Sequence, residues 1–140
     1  MPTPHLTEAD PFDLPEWLGT GDVTWESRSG LRTGHHVSGV LGGSDPGERL
    51  GCDLLGVDEA FPAPVADEAS RSRAHQAWQH GQVMVAEVDG VLTLCVPGTR
   101  FDADRVLDTL GRLAKAVGAS PDHYAARIAI GAERPRRNGR

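Results

Sequence analysis

Two apolar runs around an Asp-Gly pair decide the fold of this chain: Val83-Met-Val-Ala-Glu-Val88 and Val91-Leu-Thr-Leu-Cys-Val96. Asp89-Gly90 can adopt the positive φ angles of a two-residue hairpin turn, so we predict antiparallel strands in which Val88 pairs with Val91. Alternation along each strand leaves both faces of the hairpin largely apolar. Such strands belong in the middle of a sheet, and a loop, the N-terminal segment or another subunit must cover the second face.

Strands are also predicted on either side of this hairpin. Three upstream segments have strand composition and are joined by short Gly-rich and polar connections, which favours an antiparallel meander. They are Val23 to Ser27, His35 to Leu41 and Gly51 to Val57. Tyr124 to Ile130 is predicted as a final strand, although Ser120-Pro121 is also suited to start a short helix.

Two helices are predicted, one on each side of the hairpin in sequence. Ala66 to His80 lacks Gly and Pro and is followed by Gly81, and Trp78 is its expected anchor on the sheet. The second helix runs from Ala103 to Val117, with Asp102 as its cap. Its apolar positions follow helical spacing and are Ala103, Val106, Leu107, Leu110, Leu113, Ala114 and Val117.

The predicted order is strand-strand-strand-helix-strand-strand-helix-strand. This order indicates an α+β fold with a single layer of mainly antiparallel sheet and two helices packed on one face. The three-strand, helix, two-strand, helix portion resembles type III secretion chaperone-like domains, which implies an α/β topology of that kind as the alternative. We predict one domain over residues 12–131, a flexible N-terminal tail over 1–11 and a flexible basic C-terminal tail over 132–140.

The composition is that of an ordinary globular domain. The chain has 140 residues, of which 39% are hydrophobic and 24% charged. It has neither an apolar run of 18 residues nor a basic and apolar leader, so we expect no membrane association and no secretion signal.

Cys52 and Cys95 lie in apolar runs without a Cys-x-x-Cys spacing, which predicts buried reduced thiols in the cytoplasm. Lys115 is the only lysine among 14 basic residues, a bias typical of a high-GC bacterium.

Charge is distributed unevenly along the chain. The formal net charge is −6, and residues 1–27 contain six acidic side chains and no basic one. The basic side chains near the end, Arg134, Arg136, Arg137 and Arg140, fall in the predicted C-terminal tail. No concentrated basic face is predicted, so we expect no nucleic-acid binding.

Adjacent histidines at His35 and His36 invite a metal-site hypothesis, but a strand sends consecutive side chains to opposite faces. His35 would then share a face with Val37, and His36 would share the other with Ser38. The two imidazoles cannot converge on one ion. The chain also lacks zinc-hydrolase, phosphate-loop and nucleophile-elbow motifs, so we predict no metal and no cofactor.

The remaining polar candidates are scattered. His75 and His80 are five residues apart, about 140° around a helix, and His80 is placed to interact with carbonyl groups at the helix end. Asp102 and Asp104 coincide with a helix start and are predicted to cap it. Asp58-Glu59 follows a strand end, a common position for functional groups. The weak candidates for catalysis are His36, Asp58, Glu59, His75 and His80.

The segment Phe12-Asp-Leu-Pro-Glu-Trp-Leu18 combines large apolar side chains with carboxylates. It either docks on the uncovered face of its own sheet or binds a partner through Phe12, Leu14, Trp17 and Leu18. We therefore expect a small cytoplasmic, non-enzymatic interaction or regulatory protein that binds a protein partner or forms a homodimer. The alternative is a small enzyme or ligand-binding domain in which the histidines and acidic residues meet in a cleft.

Overall fold

A computed structural model describes residues 6–28, 36–57, 66–98 and 101–128. These residues form one open sheet of eight strands with two α-helices, which confirms the predicted mixed α+β class. Within these ranges, three 3-10 turns also occur, at Pro11–Asp13, Glu16–Gly19 and Pro121–His123. In chain order the elements are β1 (Thr7–Glu8), β2 (Val23–Ser27), β3 (His36–Val37), β4 (Gly39–Gly42), β5 (Arg49–Gly56), α1 (Glu68–Gln79), β6 (Met84–Val88), β7 (Val91–Val96), α2 (Ala103–Ala116) and β8 (Tyr124–Arg127).

The strands lie in the order β1-β6-β7-β5-β4-β2-β8, and β3 pairs with the second half of β5. Most neighbours are antiparallel, but β5 pairs with β7 and β2 with β8 in parallel. β3 and β4 keep one register against β5, with His36 opposite Leu55 and Val40 opposite Gly51. The predicted strand His35 to Leu41 is therefore two short strands separated at Ser38, and His35 itself lies outside the described residues.

The β6–β7 hairpin forms as predicted. Val88 pairs with Val91, and Asp89 and Gly90 have φ angles of 54° and 80°. Because Asp tolerates this left-handed geometry and Gly adopts it freely, the turn fixes the register of the whole hairpin. Each side of the hairpin is consequently a defined apolar surface.

One surface of the sheet, which we call the α2 face, carries Val85 and Leu94. Leu110 and Leu113 of α2 pack on it. Leu107 was predicted to share this apolar stripe, but 48% of its surface is exposed, because it lies about 100° around the helix from the buried Val106. The largest fully buried side chains on this face are Trp25, Leu18, Leu41, Leu54, Leu94, Leu110 and Leu113.

The opposite surface, the α1 face, carries Met84, Ala86 and Cys95. Ala74 of α1 packs on these side chains together with Leu6, which is 1% exposed. The prediction that both helices cover one face is therefore wrong. Because the hairpin is apolar on both sides, its second face must also be covered, and α1 and Leu6 cover it.

Thr7 and Glu8, shortly before Phe12, belong to the sheet. Thr7 pairs with Glu87 of β6, and the Ala9 amide donates to the Val85 carbonyl at 2.8 Å. The flexible tail predicted over residues 1–11 did not anticipate this edge strand. Residues 1–5 of that tail, and all of the predicted basic tail, lie outside the described residues.

Candidate functional site

Phe12 is the most exposed large apolar side chain among the described residues, at 92%. It sits in the 3-10 turn Pro11–Asp13, where the Asp10 carboxylate accepts a hydrogen bond from the Phe12 amide at 3.0 Å. Pro11 occupies the start of the turn and restricts its backbone. The ring is thus presented to solvent by a capped turn.

The rest of the same segment docks on its own domain. Leu18 is fully buried, and its carbonyl accepts a hydrogen bond from the Tyr124 hydroxyl at 2.7 Å. Leu14 and Trp17 pack partly buried against the α2-face core. Leu14, Trp17 and Leu18 thus contact their own domain, whereas the Phe12 side chain is exposed.

A groove of about 500 Å³ lies between this segment and the C-terminal end of α2. Leu14 and Pro15 line one wall, and Ala116 and Val117 line the other. We call it the Phe12 groove. Its charged side chains are Glu16 and Lys115, and its full lining is Pro11, Phe12, Leu14, Pro15, Glu16, Gly19, Thr20, Lys115, Ala116, Val117 and Gly118.

A second site lies on the α1 face, where the Nε2 atom of His36 is 2.9 Å from Oδ2 of Asp53. The His36 side chain is 52% exposed and that of Asp53 is 21% exposed. Strand alternation predicted that His36 and Val37 point to opposite faces of the sheet. Val37 is fully buried in the α2-face core, and His36 lies on the α1 face. The Gly39 amide also points at Asp53, at a longer 3.4 Å from Oδ1.

The pair opens into a cavity of about 280 Å³, which we call the His36 cleft. Thr93 lies at its base, and its hydroxyl donates to the Val91 carbonyl at 3.0 Å. The Thr93 side chain is nearly inaccessible, since the residue is only 2% exposed, so it is unsuited to act as a nucleophile. The lining residues are Leu6, His36, Asp53, Leu55, Val88, Asp89, Val91 and Thr93.

The other predicted candidates do not join His36. His75 lies on the outer surface of α1, and Nδ1 of His80 lies 2.8 Å from the Gln76 carbonyl at the end of that helix. Asp58 and Glu59 lie outside the described residues. The described histidines are thus separate groups.

The predicted cap of α2 forms, and both thiols are buried as predicted. Asp102 caps α2, where its carboxylate accepts from the Arg105 amide at 2.8 Å. Cys52 and Cys95 are free and buried, and burial raises the pKa of both thiols.

Within the described ranges, no three His, Cys, Asp or Glu side chains are grouped to hold a metal ion. Nor is any described helix both long and apolar enough to cross a membrane.

Sequence reasoning missed the partners of His36. Asp53 lies between the buried Cys52 and Leu54. A carboxylate inside a buried apolar strand could have indicated that Asp53 is a functional residue. Asp89 was read only as a turn residue. Its place in the same cleft as Asp53 depends on the parallel β5–β7 pairing, which no local pattern reveals.

Comparison of the chain with protein-family models, with curated proteins and with solved structures finds no significant match.

Proposed function

We propose that this chain is a non-enzymatic protein-interaction module that binds an apolar, basic segment of a partner protein at the Phe12 groove. The exposure of Phe12, 92% on a capped turn, carries the proposal. Buried aromatic anchors often dominate the energy of protein interfaces. Because its turn already holds the Phe12 backbone, that backbone loses little further conformational freedom when a partner covers the ring.

The charges around the groove favour a basic partner. Asp10, Asp13 and Glu16 are exposed around Phe12, and Lys115 is the one basic side chain in the described lining. The groove also meets the C-terminal end of α2, where the helix dipole is negative and attracts cations. A partner segment with Lys or Arg beside its apolar residues would satisfy both features.

The proposed module works in the cytoplasm. Support comes from Cys52 and Cys95, which are free and buried, as is usual where thiols stay reduced. The type III secretion chaperone-like alternative, which depends on the order of elements, remains part of this proposal and fits an interaction role. The enzyme alternative has less support, because His36, His75 and His80 occupy three separate places.

Titration of the isotopically labelled full chain with three synthetic peptides tests the proposal by NMR. The peptides share one pattern of Leu and Phe residues, and their intervening positions are Lys and Arg, Glu, or Ser. We expect the basic peptide to shift amide signals of residues 11–20 and 112–118. Phe12→Ala should weaken this binding about 30-fold, as expected for an interface anchor worth roughly 2 kcal/mol.

Leu107→Ala is the matched control, because Leu107 is the other exposed large apolar side chain among the described residues, at 48%. It should leave peptide binding unchanged. Equal binding of the acidic peptide, or unchanged binding by Phe12→Ala, contradicts the proposal. Sedimentation that detects a dimer abolished by Phe12→Ala would instead assign the groove to a second copy of this chain.

A further inference from the structure

From the His36 cleft we infer that the chain has a second, independent binding site, for a small organic cation: a protonated amine on a compact hydrocarbon. The cleft lies on the α1 face, whereas the Phe12 groove lies beside α2. The inference concerns a ligand of a different class and does not depend on the proposed protein partner.

The walls of the cleft are apolar. Leu6, Leu55, Val88 and Val91 line it, and Leu6 is 1% exposed because it is seated between the hairpin and α1. The volume of about 280 Å³ is just below the roughly 300–1,000 Å³ typical of small-molecule sites. These dimensions suit a short branched or cyclic hydrocarbon.

The charged groups of the cleft are acidic. Asp53 and Asp89 contribute carboxylates, and the described lining contains no Lys or Arg. His36 is the only other titratable side chain in that lining. A carboxylate beside apolar walls attracts a cation more strongly than one in open water, because the local dielectric constant is lower.

The carboxylate of Asp53 is also held in place. Nε2 of His36 lies 2.9 Å from Oδ2 of Asp53, so this contact orients the carboxylate while further acceptor positions on its oxygens remain. The hairpin turn fixes the backbone of Asp89, whose φ angle is 54°. Asp53 therefore has a defined position in the cleft, and Asp89 joins the lining from the turn between β6 and β7.

Three probes with the same hydrocarbon test the charge requirement: isopentylammonium, isopentanol and isovalerate. Each is titrated into the labelled full chain in buffer with EDTA, and amide shifts of Asp53, Leu55 and residues 89–93 are followed. We expect isopentylammonium to bind at least tenfold more tightly than isovalerate, with isopentanol between them. Equal binding of the anion, or shifts confined to other residues, overturns the inference.

Two substitutions remove charge while keeping shape. Asp89→Asn retains a turn sequence, Asn-Gly, that favours the same hairpin, and Asp53→Asn keeps a hydrogen-bonding group beside His36. Each should weaken isopentylammonium binding about tenfold, whereas Asp104→Asn on the exposed start of α2 should not. Unchanged binding by Asp89→Asn contradicts the inference even if Asp53→Asn fails to fold. Phe12→Ala should leave this binding unchanged, so the two proposals can fail separately.

Discussion

The indole Nε1 of Trp25 donates a hydrogen bond to the carbonyl of Cys52 at 2.9 Å, across the intervening strand β4. Trp25 is fully buried, so its N–H needs a partner inside the core. The indole can reach over β4 because Gly39 has no side chain: a Cβ atom there would lie 2.3–2.4 Å from three atoms of the Trp25 ring. The glycine and the hydrogen bond are thus one feature of the α2-face core.

Gly39→Ala should therefore destabilise the fold by at least about 1–3 kcal/mol, the usual cost of overpacking a core. Urea denaturation measures the loss. The matched control is Gly51→Ala on β5, because a Cβ there would meet only Val91 Cγ1, at an ordinary 3.8 Å. Equal losses for the two variants would mean that the ring is not fixed over Gly39.

Arg112→Lys should destabilise the junction of the two helices. Nη1 of Arg112 donates to the Trp78 carbonyl at 2.8 Å and to the Gln82 carbonyl at 3.0 Å, and its guanidinium lies 3.4 Å from the centroid of the Trp78 ring. Lysine keeps the charge but cannot stack and donate to both carbonyls at once. We expect a loss of roughly 1–3 kcal/mol in the free energy of unfolding.

Arg127→Lys controls for the loss of an arginine as such. Arg127 pairs with Glu26 at 3.3 Å, and its side chain is 76% exposed, whereas that of Arg112 is 17% exposed. Exposed pairs contribute about 0–1 kcal/mol, so this variant should unfold close to wild type. A similarly small effect at Arg112 would show that the helix junction carries little of the stability.

Local patterns predicted the local elements. The Asp89-Gly90 turn specified the hairpin register, and apolar spacing specified α2, because neighbours in sequence supply these signals. The sheet order was beyond such reasoning, since β5 and β7 pair in parallel across α1 and β6. The same limit applies to the His36 cleft: alternation gave the direction of His36, but only the assembled sheet places Asp89 nearby.

The Phe12 segment divides in a way that hydrophobicity alone does not predict. Phe12 and Leu18 are both large and apolar, yet one is 92% exposed and the other is fully buried. Leu18 packs in the α2-face core, where Tyr124 bonds its carbonyl, whereas Phe12 stands on the capped turn at Pro11–Asp13. Both features depend on three-dimensional contacts or backbone geometry that composition does not encode.

Alkaline pH should destabilise the protein through its buried thiols. Burial, with a smaller contribution from Glu8, raises the pKa of Cys95 from the usual 9.0 to about 12. Below pH 9 both the folded and unfolded states keep the proton, so the stabilisation is complete there. Above that pH only the unfolded chain loses the proton, and the free energy of unfolding should fall by up to about 1.4 kcal/mol per pH unit for each such thiol.

Cys95→Ala isolates this effect. Urea denaturation at pH 7, 9 and 10.5 should show that the stability advantage of wild type over Cys95→Ala shrinks as the pH rises above 9. Cys52, whose pKa burial also raises, remains in both proteins and cancels in the comparison. A constant difference across this range would mean that solvent reaches the Cys95 thiol.

Leu6→Ala should destabilise the whole domain, although Leu6 lies in the segment predicted to be a flexible tail. Leu6 is 1% exposed and packs with Met84, Ala86 and Ala74 on the α1 face. Truncating a buried leucine costs about 2–5 kcal/mol, because it removes apolar burial and leaves a cavity. Thr7→Ala is the control on the same edge strand, since Thr7 is exposed and its backbone pairing with Glu87 survives the change. A lower melting temperature for Leu6→Ala alone would show that the N-terminal segment is part of the core. If both variants melt at the wild-type temperature, this segment does not cover the α1 face in solution.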